Sequence, residues 1–306
     1  MLMVIFGAGA SYDSASALRP NQVSATWRPP LANQLFDLKR FGDLISQFRK
    51  CHPLITYLQE ANVEEVLEKY QSESGKDPER LRQLAAVRYY LQTMLYTCMI
   101  GWQSETKGVT NYKTLMDLIR HERTPGDRVC LVTFNYDTLL EDAVSDIVGA
   151  RKSSIIDYVS GDYQIIKPHG SIEWAHEVIG FRDVRNQNPM NVASEVIEKI
   201  PELEIGEEYE IIPNRAISQT FSEKAYLPAL AIPVQNKPRY ECPGLHLRTL
   251  EKELADVTKL LIIGWRAADE SFLKLLAKGL SKAPRILVVS SARDKATSVI
   301  EKLRTA

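Results

Sequence analysis

Four stretches of the chain are short, nearly unbroken apolar runs that end in small or polar residues: Leu2–Phe6, Val129–Phe134, Leu260–Ile263 and Arg285–Val289. Runs of this length without alternation predict strands buried on both faces, as in a parallel sheet. The last three are followed by residues with helical spacing, at Asp137–Val144, Glu270–Leu280 and Ala292–Leu303. Strand, small-residue turn and helix in repetition predict an α/β fold with a doubly wound, mostly parallel, Rossmann-like sheet.

Between the first two of these strands, residues 31–123 read as a large helical insertion within a single domain covering 1–306. Asn62 followed by Glu65 fits a capping box, and Asp77-Pro78 fits a cap with proline at the first helical position. Leu81, Leu84, Ala85, Arg88, Leu91, Gln92 and Leu95 carry the three-and-four spacing of an amphipathic face. Residues 176–225 read as a variable excursion, whose acidic part, Val192–Glu210, mixes a Glu-rich helix with Pro201 and Gly206. The chain contains no internal repeat or low-complexity tract.

Composition narrows the classes of function. The 306 residues carry 38 Lys plus Arg against 39 Asp plus Glu, a formal net charge of −1. No basic stretch stands out, so sequence-independent binding to nucleic acid is not expected. The richest apolar run, Val87–Trp102, is broken by Arg88, Gln92 and Thr93, so no membrane span is expected. The opening Met1–Phe6 lacks a charged leader and runs straight into Gly7, which predicts a first strand and no signal peptide. Cys51, Cys98, Cys130 and Cys242 form no CxxC pair, so neither a zinc ribbon nor a redox dithiol is expected, and a reducing cytoplasm is the natural compartment.

Candidate chemistry gathers where the predicted strands end. Gly7-Ala8-Gly9-Ala10-Ser11 follows the first strand, and small residues there allow backbone amides to approach a pyrophosphate or simply make a tight turn. Tyr12 stands where the dehydrogenase fingerprint needs its third glycine, and no acidic residue lies between Asp13 and Asp37 to hold a ribose, which disfavours hydride transfer. Thr133-Phe134-Asn135-Tyr136-Asp137 offers an amide and a carboxylate able to orient a sugar or a carboxamide, with Asp137 also placed to cap the next helix. In Lys167-Pro168-His169-Gly170-Ser171 the imidazole is fixed between proline and glycine, a setting for a base as well as for a structural histidine. Gly264-Trp265, within a segment running on to Asp269, and Ser290-Ser291 end the later strands and could close around a nucleotide.

Other templates fail. Ser74-Gly75-Lys76-Asp77 lacks the earlier glycine and the hydroxyl of a phosphate loop, and no GxSxG elbow occurs. His169, Glu173 and His176 have a metal-like spacing, but the proline-glycine context argues against the helix it would need, and no metal is expected. Arg19, Arg28 and Lys167 are expected in solvated positions, and His52, His121 and His246 in core or surface roles.

The ordered set GAGAS, TFNYD, KPHGS and an apolar strand ending in Gly-Trp, with Pro29-Pro30-Leu31-Ala32 after the first loop, resembles the sirtuin-like family, in particular its divergent prokaryotic branch of NAD-degrading antiphage-defence proteins. The resemblance spans Gly7–Ser291. It implies NAD as substrate, with Gly7, Ala8, Gly9, Ala10 and Ser11 at the diphosphate. Thr133, Asn135 and Asp137 would meet the nicotinamide ribose and carboxamide, His169 would be the base, and Gly264, Trp265, Ser290 and Ser291 would flank the adenosine half. Phe134 and Trp265 replace residues typical of the family, and its four-cysteine zinc site is missing, which puts recognition of an acyl-lysine peptide in doubt more than NAD binding. The activity implied is hydrolysis of NAD to nicotinamide and ADP-ribose. The alternatives are a zinc-free NAD-dependent deacylase and a non-catalytic module sensing NAD or ADP-ribose. A separately encoded regulatory partner and a homo-oligomer are further expectations.

Overall fold

The computed structural model describes residues 1–306 except 16–25, 59–62, 186, 213–222, 235–239 and 306. The chain divides into two compact units, one built from Met1–Leu31, Met99–His169 and Lys237–Ala306, the other from Ala32–Cys98 and Gly170–Asn236. Nine strands follow in chain order among the described residues: β1 (Leu2–Phe6), β2 (Val129–Thr133), β3 (Tyr163–Ile166), β4 (Gly170–Ile179), β5 (Glu204–Ile205), β6 (Glu210–Ile211), β7 (Tyr226–Leu230), β8 (Lys259–Ile263) and β9 (Arg285–Val289).

The first unit holds a parallel five-stranded sheet in the order β3-β2-β1-β8-β9. Numbered within this sheet the order is 3-2-1-4-5, the doubly wound arrangement whose chain direction reverses beside the first strand. Apolar runs without alternation produce it. Met3, Val4, Ile5 and Phe6 are buried, as is every residue of β2, because side chains leave both faces of the sheet into packed layers. Leu250 and Leu254 of the helix Gly244–Leu254 and Phe272 and Leu276 of the helix Glu270–Gly279 join Ile5, Val132 and Ile262 in one core.

Three local expectations change. β9 is the sheet's edge, pairing with β8, and Leu287 is 62% exposed, so its apolar run does not mark burial on both faces. The helix after β2 is Leu139–Val148, which leaves Phe134–Thr138 as a connecting segment. Tyr163-Gln164 hides β3 from the periodicity, because their polar atoms interrupt a strand that is in fact wholly buried.

In the second unit, β4 is long enough to pair antiparallel with β5, β6 and β7. Within 176–225 the described residues thus include the end of β4 and its short partners β5 and β6, along with the helix Pro189–Lys199, whose Asn188 side chain accepts from the Met190 N–H at 2.8 Å. The helix Pro78–Thr106 begins as its sequence predicts, with Asp77 Oδ1 accepting from the Glu79 N–H at 2.9 Å. Its middle is not amphipathic. Leu84, Ala85, Ala86, Val87, Tyr89, Tyr90 and Leu91 are all buried, so apolar residues surround the axis. Asn62 lies outside the described residues. No helix among the described residues is long and apolar enough to cross a membrane.

Candidate functional site

The parallel sheet brings the five sequence motifs to one edge. β1, β2, β8 and β9 end at Phe6, Thr133, Ile263 and Val289, and directly after them come Gly7–Ser11, Phe134–Asp137, Gly264–Trp265 and Ser290-Ser291. After β3 comes Lys167-Pro168-His169. This carboxyl edge, beside the reversal of strand order, is where open α/β sheets place ligands.

The glycines are required first by the chain's approach to itself. Gly264 has φ +63°, and a Cβ there would lie 2.4 Å from the Ala10 nitrogen; a Cβ on Gly7 would lie 2.5 Å from Trp265 Cα. The Gly9 N–H donates to Gly264 O at 3.2 Å and the Gly7 N–H to Ile263 O at 3.0 Å, while the Gly264 N–H reaches Val289 O at 3.0 Å. The ends of β1, β8 and β9 are therefore laced together by backbone, with Ala8 and Ala10 carrying on into the short helix Ala8–Tyr12. Gly264→Ala must place a methyl group against backbone that cannot rotate away, in a left-handed conformation. We expect a loss of about 2–4 kcal/mol of stability, read as a lower urea midpoint with unchanged slope.

Asn135 is locked into this turn. Its Nδ2 donates to Gly7 O at 2.9 Å and lies 2.9 Å from Ser11 Oγ and 3.1 Å from the Tyr112 hydroxyl. A carbonyl only accepts, so the group facing Gly7 O must be the NH2, and the amide orientation is fixed by chemistry. The amide oxygen takes no hydrogen bond from any described residue. Thr133 holds the backbone beneath it, its Oγ1 accepting from the Asn135 N–H at 3.1 Å. Tyr112, from the helix Asn111–Glu122, is a member of the site that the sequence did not disclose. Its hydroxyl lies 2.9 Å from Ser11 Oγ, and burial, then the charge of Asp137, push the phenol well above its ordinary range, so it stays protonated.

Asp137 and Lys167 form the layer behind. Asp137 Oδ1 accepts from the Leu139 N–H at 3.2 Å, so its carboxylate does steady the start of the following helix. Lys167, a residue type that the sequence places in solvent, is fully buried. Its Nζ donates to Asp137 O at 2.5 Å and to Glu141 Oε1 at 2.7 Å, pairing that lets an ammonium enter the interior. Burial raises the Glu141 carboxyl from its ordinary value against the opposing pull of Lys167. Arg28 is also buried, its guanidinium over the Tyr12 and Trp102 rings and its Nη1 donating to Tyr12 O at 2.7 Å. Arg19 lies outside the described residues.

His169 sits against an aromatic wall. Its ring lies 4.9 Å from Phe134, edge to face, and 6.1 Å from Tyr136. Phe134 stacks on Trp265 at 5.3 Å with 6° between the planes, and both meet Phe272 edge-on. The Trp265 indole is thus part of the core beside the site. His169 Nε2 lies 3.7 Å from Asp269 Oδ2. Asn135 and His169 are therefore held by different partners, the amide by the glycine turn and Tyr112, the imidazole by the rings and carboxylate around it. Ser290 and Ser291 are exposed, and Lys295 Nζ donates to Ser291 Oγ at 3.2 Å.

No family model matches the chain, and no curated protein does. Among solved structures, it is similar to a Sir2 homologue in complex with NAD, at 14% identity and a TM-score of 0.37, covering 99% of this chain and 89% of that one. A mutant Sir2 homologue in complex with ADP-ribose is 16% identical, with a TM-score of 0.35 over 99% of this chain and 90% of that one. A structure described as the basis for the mechanism and regulation of Sir2 enzymes is 12% identical, with a TM-score of 0.37 and coverage of 99% and 92%.

Proposed function

We propose that the chain hydrolyses NAD at the bond between nicotinamide and ribose. The observation that carries this reading is the fixed amide of Asn135, tied to Gly7 O and Ser11 with its oxygen left as an acceptor at the ligand-binding edge of the sheet. Cleaving the glycosidic bond lets nicotinamide leave as a neutral molecule with the bonding electron pair, while positive charge builds on the ribose. An acceptor oxygen orients a ribose hydroxyl or the incoming water, and preorganised polar groups of this kind act where charge develops. The water oxygen bonds to the anomeric carbon, and its proton passes to the imidazole of His169, giving ADP-ribose. Thr133 and Asp137 support the sugar-facing segment. Gly7–Ser11 would accommodate the diphosphate, and Gly264, Trp265, Ser290 and Ser291 the adenosine half.

Incubation of the purified protein with NAD, followed by separation of the products, tests the reading. Nicotinamide and ADP-ribose in equal amounts without any acylated peptide support it; strict dependence on such a peptide selects deacylation, and intact NAD recovered from a tight complex selects a sensor. The same proposal includes a role in antiphage defence, with self-association and a separately encoded regulatory partner, since unrestrained NAD turnover harms the cell that carries it.

A further inference from the structure

The carboxylate of Asp269 has two oxygens with two different tasks. Oδ1 accepts from the Phe272 N–H at 2.8 Å, capping the helix Glu270–Gly279, and also receives the Tyr240 hydroxyl at 3.4 Å. Oδ2 is turned the other way, 3.7 Å from His169 Nε2. The cap uses Oδ1 and so sets the direction of Oδ2, which faces the imidazole. The carboxylate cannot drift, because the cap fixes it to the backbone of a ten-residue helix. Burial raises the Tyr240 phenol far above its ordinary value, which keeps it a donor to Asp269.

The imidazole is held from its own side as well. Pro168 O accepts from the Glu241 N–H at 2.9 Å, which fixes the residue before it. Among the described residues, the ionisable groups that lie against His169 include Tyr136 from the segment after β2 and Asp269 with Tyr240 behind it; Lys167 is turned away to Glu141 and Asp137 O. At 3.7 Å the pair is beyond hydrogen-bond length, and catalytic bonds commonly tighten only when substrate is bound.

We propose that Asp269 is a positioning residue for His169, holding the ring with Nε2–H toward its carboxylate so that Nδ1 is the atom that takes the proton. This rests on the proposed function for the identity of the reaction, but not for the coupling between the two side chains. When the water proton moves to Nδ1, the imidazolium forms beside a fixed anion and the pair is neutral as a whole. Without the carboxylate the ring is free to turn over or adopt the other tautomer.

Asp269→Asn tests this without removing the cap, since asparagine caps helices as well as aspartate does. NMR titration of the His169 ring in both proteins reads the coupling directly. The imidazole of the variant is expected to titrate about one unit lower. An opposite charge nearby favours the protonated ring, so its removal shifts protonation to lower pH. In the NAD assay the acidic limb of the pH–rate profile should move down with it, and the plateau kcat should fall about ten-fold or more with KM little changed. A His169 titration that does not move in a folded Asp269→Asn protein overturns the proposal, whatever happens to activity. A shifted titration in a protein that releases no nicotinamide upholds the coupling and overturns the hydrolase reading instead.

Discussion

His169→Ala is expected to lower nicotinamide release about a hundred- to ten-thousand-fold, the usual cost of removing a positioned base. The fold should survive. The side chain is 15% exposed and its packing is ring against ring with Phe134 and Tyr136, contacts worth about 1 kcal/mol. Product chromatography at saturating NAD and a thermal melt of the same preparation check both halves of the statement. Undiminished release in the variant removes His169 from the chemistry. Asn135→Ala is a poorer test, because it also strips Gly7 O, Ser11 and Tyr112 of a buried donor, and a folding defect would imitate a catalytic one.

Lys167→Met is expected to carry the largest cost in stability, about 3–5 kcal/mol, because it leaves Glu141 buried without its counter-charge and frees the carbonyl of Asp137. The Tyr158 hydroxyl, 3.3 Å from Glu141 Oε1, cannot replace an ammonium. A double variant, Lys167→Met with Glu141→Leu, should recover most of the loss, since a well-packed apolar pair of similar volume replaces a buried ion pair at little cost. The deficit of the single variant has a definite pH dependence. Burial already raises the Glu141 carboxyl, so the folded chain holds that proton more tightly than the unfolded chain does, and this contribution favours folding at low pH and is lost as pH rises through the raised value. Removing Lys167 raises it further. Urea unfolding should therefore show a larger gap between the two proteins at pH 8 than at pH 5. A gap that is flat with pH, or a double variant no more stable than the single one, contradicts this account of Lys167.

Much of the sheet is legible in the chain because a parallel strand buried on both faces leaves a continuous apolar run. β1 and β2 show it, and Gly7 and Gly264 mark where two such strands end. β9 shows the limit of that signal. Its run is as apolar as the others, yet nothing local distinguishes an edge from a centre, since edge position is set by which strand pairs next. The connection after β2 announces Asn135 as an unusual polar residue at a strand end. It does not announce Tyr112, which lies on an ordinary helix face and reaches the site only through the packing of Phe6 against its ring. The burial of Lys167 is hidden for a related reason. Lysines are mostly solvated, and the partner that makes its burial tolerable, Glu141, stands 26 residues earlier, visible only once β3 lies beside β2. Asp269 reads from the sequence as a strand-to-helix junction; that its second oxygen faces an imidazole a hundred residues away shows only in the fold.

The most direct measurement is a crystal structure of the His169→Ala protein soaked with NAD, in which turnover is too slow to empty the site. Intact NAD should lie across the carboxyl ends of β1 and β8, with a hydroxyl of the nicotinamide ribose on the amide oxygen of Asn135 and the anomeric carbon facing the space the imidazole occupied. Dinucleotide bound elsewhere, or a nicotinamide ribose out of reach of Asn135, means that amide and imidazole do not serve one sugar, and the hydrolytic mechanism falls with it.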